Sequence, residues 1–413
     1  MSIGYKSELH NEEGRLETVR KCKQYQSDAL NELMSRVSAG EPYGICNVDE
    51  VEEIFHAFGF PVVPLQYWSS VISSKRLSVR YFNYMAEKGY DMDHYYSLGL
   101  ACSMAHDPDA PYGGLPKPLV VVGNSGYDAH QAIKELWAKE LGAPYYPLNA
   151  IEPGMAGPPR WWDGIYDRWD EKVDPEVLDL RVADLKDFIH YMEVSSGKSF
   201  DPDRMTHVME VLNEHMGYMA KIRDIIATVR PCPVSLRDQL AMYPLTWWRG
   251  LESARDLAKQ YYEDVLARLE NGTCVHKGEK IRLWWTSQGL WQNTKFYHAF
   301  EEKYDAVFVG SMYQSIVSDG YPRAVKGDPL RALAGRQFIF GVGSPEWLLK
   351  ECIAHGCDAA IGQQPAMPVF EEAGIPYLCI GGSNVDARGW DEEKVEAAVG
   401  RFLEERVIPN LKH

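Results

Sequence analysis

Short apolar runs alternate with amphipathic stretches of helical period in two separate blocks of the chain, the pattern of parallel sheets built from strand–helix–strand units. In the first block, Tyr43–Asn47, Pro61–Leu65, Pro118–Gly123 and Pro144–Leu148 predict strands. Between the last two, Asp128 can cap a helix, Ile133, Trp137 and Leu141 recur every four residues, and Gly142 with Pro144 ends the pattern. In the second block, strands are predicted at Ile281–Thr286, Ala306–Gly310, Gln337–Val342, Ala359–Gly362 and Pro376–Ile380. Ser344 and Pro345 supply an N-cap and a first-turn proline for a helix carrying Trp347, Leu348 and Cys352 and stopped by Gly356. A final helix is predicted from Asp391 to Val407.

From about Asp174 to Asn271 the strand signals vanish and helical periodicity takes over. Met205, Met209, Leu212, Met216 and Met219 recur at steps of four and three, a face suited to filling a core. The expected fold is α/β, with two open parallel-sheet (flavodoxin/Rossmann-like) domains joined by a helical segment. The expected divisions are an N-terminal helical segment (1–40), a first α/β domain (41–173), a helical connector (174–271) and a second α/β domain (272–413).

Composition narrows the function. The 413 residues carry a formal charge of -16, which argues against binding a phosphate backbone. No apolar run approaches the ~20 residues that span a bilayer, and the polar start lacks the apolar core of a signal peptide, so a cytoplasmic protein is expected. Eight cysteines, none in a CxxC pair, read as reduced thiols rather than a disulfide scaffold. The 12 Trp and 24 Tyr include the doublets Trp161–Trp162, Trp247–Trp248 and Trp284–Trp285 beside turn signals. Such rings suit an interface, an acyl pocket, or packing between domains.

Walker, HExxH, GxSxG and GxGxxG motifs are absent. Gly341–Ser344 comes nearest to a phosphate cradle, with Gly343 and Ser344 as candidate binding residues between a predicted strand and a helix N-terminus; a tight turn with an N-cap has the same sequence. Asn124–Asp128 occupies the equivalent turn of the first block, where open α/β sheets bind ligands. Its Asn124, Ser125 and Tyr127 are candidates to orient a substrate, although capping also accounts for Ser125 and Asp128. Glu53 and His56 lie one helical turn apart and are candidates for an acid–base pair, an ion pair being the alternative.

From these residues onward the chain resembles a known family, the 2-hydroxyacyl-CoA dehydratases and ATP-dependent benzoyl-CoA reductases. Val51–Gly59 followed by Pro61 resembles the family's first helix, and Leu115–Leu119 leads into the Asn124–Asp128 turn. Trp285–Ser287, Val309–Tyr313, Gly374–Tyr377 and Val385–Arg388 match the family's pattern in order and spacing, most closely in the larger benzoyl-CoA reductase core subunit. The resemblance implies two paired, related subunits, a [4Fe-4S] cluster held between domains and an activator ATPase that injects one electron. It implies radical chemistry on a CoA thioester, with a ketyl radical expelling a β-related hydroxyl or with reduction of an aromatic ring.

The chain departs from that pattern where the cluster's cysteines would stand. By register these positions fall at or near Tyr96, at Tyr127 and near Gln363–Gln364. A phenol and neutral amides are poor ligands for iron–sulfur chemistry. A shifted register would bring in Cys102 alone, while Cys352 and Cys357 read as small buried apolar residues.

The expectation is a cluster-free subunit with no metal of its own, any [4Fe-4S] cluster belonging to a paralogous partner in a heterodimer or heterotetramer, with an activator ATPase as a further partner. Its acyl-CoA site is expected where the Asn124–Asp128 and Thr286–Gly289 turns face each other, with Thr286 and Ser287 contributing to binding and Tyr127 as a neutral phenolic donor. Two other readings stay open: a scaffold or CoA-binding subunit without catalysis, and an unrelated two-domain α/β transferase whose cleft lies between similar sheets.

Overall fold

The computed structural model describes residues 15–124, 128–148, 158–339, 341, 343–365 and 367–411, with Asn124 described by its backbone alone. The first sheet is formed by β1 (Gly44–Cys46), β2 (Val62–Pro64), β3 (Val120–Asn124) and β4 (Tyr145–Leu148), in the order β2-β1-β3-β4 and parallel throughout. The second sheet is formed by β5 (Ile281–Trp285), β6 (Ala306–Ser311), β7 (Ala359–Gly362) and β8 (Tyr377–Cys379), ordered β6-β5-β7-β8 and again parallel. The central strands β1, β5 and β7 and the edge strand β6 are buried along their whole length, as strands covered by helices on both faces must be.

The helices that position the site come in chain order. α1 (Glu17–Ser38) precedes β1; α2 (Glu52–Phe58) joins β1 to β2; α3 (Leu65–Ser74), α4 (Ser78–Glu87) and α5 (His94–Met104) lead to β3; and α6 (Asp128–Glu140) joins β3 to β4. Ile133 and Trp137 on α6 are fully buried, as their spacing predicts. Between the sheets run α7 (Pro175–Ser196), α8 (Pro202–Thr228), α9 (Leu236–Met242) and α10 (Glu252–Glu270). The five-residue apolar face of α8, from Met205 to Met219, is buried core.

One predicted strand is a helix. Gln337–Val342 reads as an apolar run, but residues Pro329–Ile339 form an α-helix. Asp328 Oδ1 accepts from Arg331 N at 2.9 Å and Pro329 fits the first turn, a capping signal that outweighs the β-prone Phe338 and Ile339. Gly343 and Ser344 therefore stand in a turn between two helices, with no strand end beside them among the described residues. The C-terminal prediction holds more closely: Asp391 caps Glu392–Phe402, and a π-turn continues to Val407.

The aromatic doublets pack mostly inward, with Trp162 and Trp248 half-buried. Trp161, Trp247, Trp284 and Trp285 are fully buried, and among the described residues no tryptophan is an exposed apolar side chain. No described helix is long and apolar enough to cross a membrane.

Candidate functional site

The first turn of α5 meets residues that follow the carboxyl ends of β5 and β6 in the second sheet. Tyr96 on that turn stacks on His130, at the start of α6, with ring centroids 3.6 Å apart. Its neighbour Tyr95 faces the other way: its hydroxyl lies 3.0 Å from that of Tyr313, just past β6, and accepts from Trp291 Nε1 at 3.2 Å, past β5. Tyr313 stacks on Tyr243 at 3.9 Å, and the Tyr243 hydroxyl lies 3.4 Å from that of Tyr321. A cluster of phenols drawn from three parts of the chain thus packs together, all buried except the half-buried Tyr96.

Asp49 sits in this setting on the turn after β1. Its carboxyl is partly buried, and its Oδ1 has no hydrogen-bond partner. Burial raises its pKa to about 6 against the opposing charges of Arg249 and Arg336 and a hydrogen bond with Tyr321. In turn its charge lifts the phenols of Tyr95, Tyr96, Tyr243 and Tyr321, each already raised by burial. A carboxyl that titrates near neutrality among neutral phenols can both give and take a proton. The sequence shows it only as one acid in the run Asn47–Glu53, indistinguishable from acids that open a helix.

Beside it the turn is tied down. Gln66 Oε1 accepts from Val48 N at 3.1 Å, and Gln66 Nε2 donates to Asn47 Oδ1. Lys134 Nζ lies 2.6 Å from Glu50 Oε1, both side chains being almost wholly buried.

Glu53 and His56 do not form an acid–base pair. Glu53 accepts from Arg249 Nε at 2.6 Å and from both terminal nitrogens of Arg336, with Nη2 at 2.9 Å from Oε2. Burial opposes its ionisation, but the two guanidinium charges outweigh that and hold its pKa well below the carboxylate range. Glu52, with Oε2 2.8 Å from Arg249 Nη2 but out of hydrogen-bond alignment, is instead pushed up by burial despite Arg249 and by repulsion from Glu53. His56 is buried with Nε2 unpartnered, and burial lowers its pKa to about 4.

The other expected residues separate. Asn124 ends β3, while Ser125 and Tyr127 lie outside the described residues. Thr286 and Ser287 are buried at the end of β5 and hold its neighbour: Thr286 N donates to Ile361 O at 2.9 Å, and Ser287 Oγ accepts from Gln363 N at 2.8 Å. Gly362 must lack a Cβ here, since one would meet Thr286 Oγ1 at 2.0 Å. Ser344 Oγ donates to Glu346 Oε2 at 3.0 Å and caps Trp347 N, so Ser344 is the helix N-cap, while Gly343 before it is exposed.

The donor set does not suit an iron–sulfur cluster. Tyr96 is held protonated by burial, and Gln363 and Gln364 are neutral amides. Cys379 Sγ lies 3.6 Å from Gln363 O and is one thiol. Cys46, at the end of β1, is fully buried, and desolvation followed by Glu52 and Glu50 pushes its thiol well up. Cys102 is likewise raised, to about 11, chiefly by burial. Among the described residues no three His, Cys, Asp or Glu side chains gather as metal ligands. Thiolate ligation needs several soft, deprotonated donors.

No curated protein matches the chain. The family described as 2-hydroxyglutaryl-CoA dehydratase, D-component, matches residues 51–343, from the approach to α2 to the turn before Pro345. This removes the reading as an unrelated transferase, and the chain belongs to the 2-hydroxyglutaryl-CoA dehydratase D-component family.

Proposed function

We propose that this chain is a subunit of a 2-hydroxyacyl-CoA dehydratase-like complex that binds an acyl-CoA thioester in the crevice between the two sheets, holds no cluster itself, and moves a proton through Asp49. The observation that carries the reading is the Asp49 carboxyl, raised to about 6 with a bare Oδ1 among phenols. Loss of water from a 2-hydroxyacyl thioester requires one proton to reach the departing hydroxyl and one to leave carbon. A carboxyl poised near neutrality suits the first transfer, and phenols that stay protonated suit holding the thioester carbonyl. Asn124, Ser125 and Tyr127 keep their proposed orienting role on sequence grounds. The poor fit of Tyr96, Gln363 and Gln364 to iron supports placing any cluster on a paralogous partner, served by an activator ATPase.

The test is turnover of the assembled complex with Asp49→Asn, which keeps shape and removes the titration. A fall of ~10²-fold or more with thioester affinity retained is expected; unchanged turnover favours the scaffold reading, in which this subunit only binds CoA or its partner. Tyr127→Phe gives a separate check on the phenol and should also lower turnover. In parallel, iron and sulfide assays of the anaerobically purified chain should find no cluster; about four of each per chain, retained when every partner cysteine is replaced, overturns that part of the reading.

A further inference from the structure

A cavity of about 750 Å³ opens beside the outer edge of β2, between α1, α8 and the start of α10. Neither Asp49 nor the phenols clustered near it line this space. Its size falls within the range of small-molecule sites, roughly 300–1,000 Å³. One end is aromatic: Trp248 stands perpendicular to Tyr25 at 5.3 Å and meets Tyr67 at 4.9 Å, the two rings inclined by 71°. Two side chains on the lining are buried beyond nine-tenths and carry a polar atom with no partner, Tyr67 through its hydroxyl and His56 through Nε2. Buried polar atoms are nearly always satisfied, so two orphans on one cavity mark a place where a ligand can complete the hydrogen bonding.

The charges on the lining are sorted along α1. The two guanidiniums gather at Gly59: Arg36 donates to Gly59 O at 2.7 Å, and a Cβ added to Gly59 would stand 3.1 Å from Arg204 Nη1. Arg36 is shared by two carboxylates, Glu41 at 2.8 Å and Glu32 at 3.7 Å. The aromatic end lies elsewhere, since Tyr25 precedes Arg36 by about 16 Å of helix. There the acids keep their charge. Among the described residues, Asp28, one turn after Tyr25, meets only the neutral amide of Gln24, at 2.7 Å. Glu252 meets only the imidazole of His207, at 3.2 Å, and adjoins Ser253, whose Oγ is 3.0 Å from the Tyr25 hydroxyl. Asp28, Glu32, Glu41 and Glu252 thus stand against Arg36 and Arg204, and the uncompensated negative charge sits beside the rings.

We infer that this cavity binds an organic ammonium ion, a primary amine on an aromatic or bulky apolar body, its charge held between Asp28, Glu252 and the rings of Tyr25, Tyr67 and Trp248. Carboxylates and aromatic rings both attract a cation, and the Tyr67 hydroxyl oxygen can accept from an ammonium N–H. His56, kept neutral by burial, sets no positive charge against it. The site is independent of the thioester site and of the proposed role of Asp49.

Calorimetric titration of the full chain with tryptamine in low salt tests this, with the uncharged tryptophol and the anionic indole-3-propionate as controls. Saturable binding at one site per chain is expected, ~10-fold or more weaker for tryptophol and weaker still for the anion. The exposed double variant Asp28→Asn with Glu252→Gln should weaken tryptamine ~10-fold, whereas Arg204→Gln should not weaken it. Trp248→Leu should cut binding further by removing the shared ring, and Asp49→Asn should leave it unchanged. Absence of saturation at millimolar concentration, equal binding of tryptamine and tryptophol, preference for the anion, or indifference to the double variant overturns the proposal. Weaker binding in Arg204→Gln or in Asp49→Asn also overturns it, since the amine would then not sit at the acidic end of this cavity. Should Trp248→Leu fail to fold, the surface double variant decides alone.

Discussion

At Asp49 the demands of folding and of chemistry pull in opposite directions. Its pKa in the fold, about 6, stands above the ordinary carboxyl value of ~3.9. The native state therefore binds the extra proton between those values, so stability is greatest below the lower one and is lost as pH rises through the upper one. Asp49→Asn removes that loss. Urea denaturation should find the variant about 1–2 kcal/mol more stable than the parent at pH 7 and no more stable at pH 4. A variant that is less stable at pH 7 would show that its hydrogen bond with Tyr321 outweighs desolvation. This residue was illegible in the sequence because its character comes from Arg249, Arg336 and Tyr321, remote along the chain, whereas the helix-opening role of an acid near Glu52 is a local signal.

Single elements were most legible where a period or a cap governed them. The methionine face of α8 could be read because its spacing alone determines which side is buried. The helix Pro329–Ile339 could not, because its apolar C-terminal residues resemble a strand and its buried apolar side is interrupted by Arg336, with Gln337 half-buried beside it. Those two polar side chains reach Glu53 and the Glu50 carbonyl, partners that no local pattern announces. α8 also carries His215, fully buried with neither ring nitrogen partnered, its pKa lowered to about 3 by burial and then by Arg249. The folded state keeps this ring neutral while the unfolded chain protonates it below ~6.5, so stability present at neutral pH is lost as pH falls from there towards 3. His56 and His355, both lowered to about 4 chiefly by burial, act in the same sense. Denaturation midpoints should fall steeply between pH 6.5 and 5. His215→Leu should remove about 1–2 kcal/mol of that fall, and a slope unchanged in the variant would mean His215 does not titrate on unfolding.

Across the whole molecule, the alternation of strands and helices made the two-sheet architecture readable, while the way the sheets are held together was not. That junction is ionic as well as aromatic: Arg249, between the blocks, and Arg336, in the second, converge on Glu53 of the first. Removing one partner of a buried pair strands charge in a medium that cannot solvate it. Arg336→Met should cost about 3 kcal/mol or more by chemical denaturation, and a near-neutral result would show that Arg249 alone satisfies Glu53. Trp161, Trp247, Trp284 and Trp285 are buried within the chain, so the proposed pairing with a paralogous subunit would rest on other surface. Light scattering of the chain expressed alone and with that paralogue should still show a heteromer, and a monomer indifferent to the paralogue would count against the proposed assembly.

The shared carboxylate also sets an order on biosynthesis. As the chain leaves the ribosome, α2 with Glu52 and Glu53 emerges long before Arg249, and longer still before Arg336. Until both arginines appear, closing the first sheet over α2 would trap uncompensated negative charge, so that region must either stay open or take up protons while the remainder is translated. An N-terminal fragment ending before residue 249 should accordingly remain protease-sensitive and prone to aggregate, although it contains every strand of the first sheet. By the same argument, the N-terminal block is expected to gain its full native stability only once synthesis has run past residue 336.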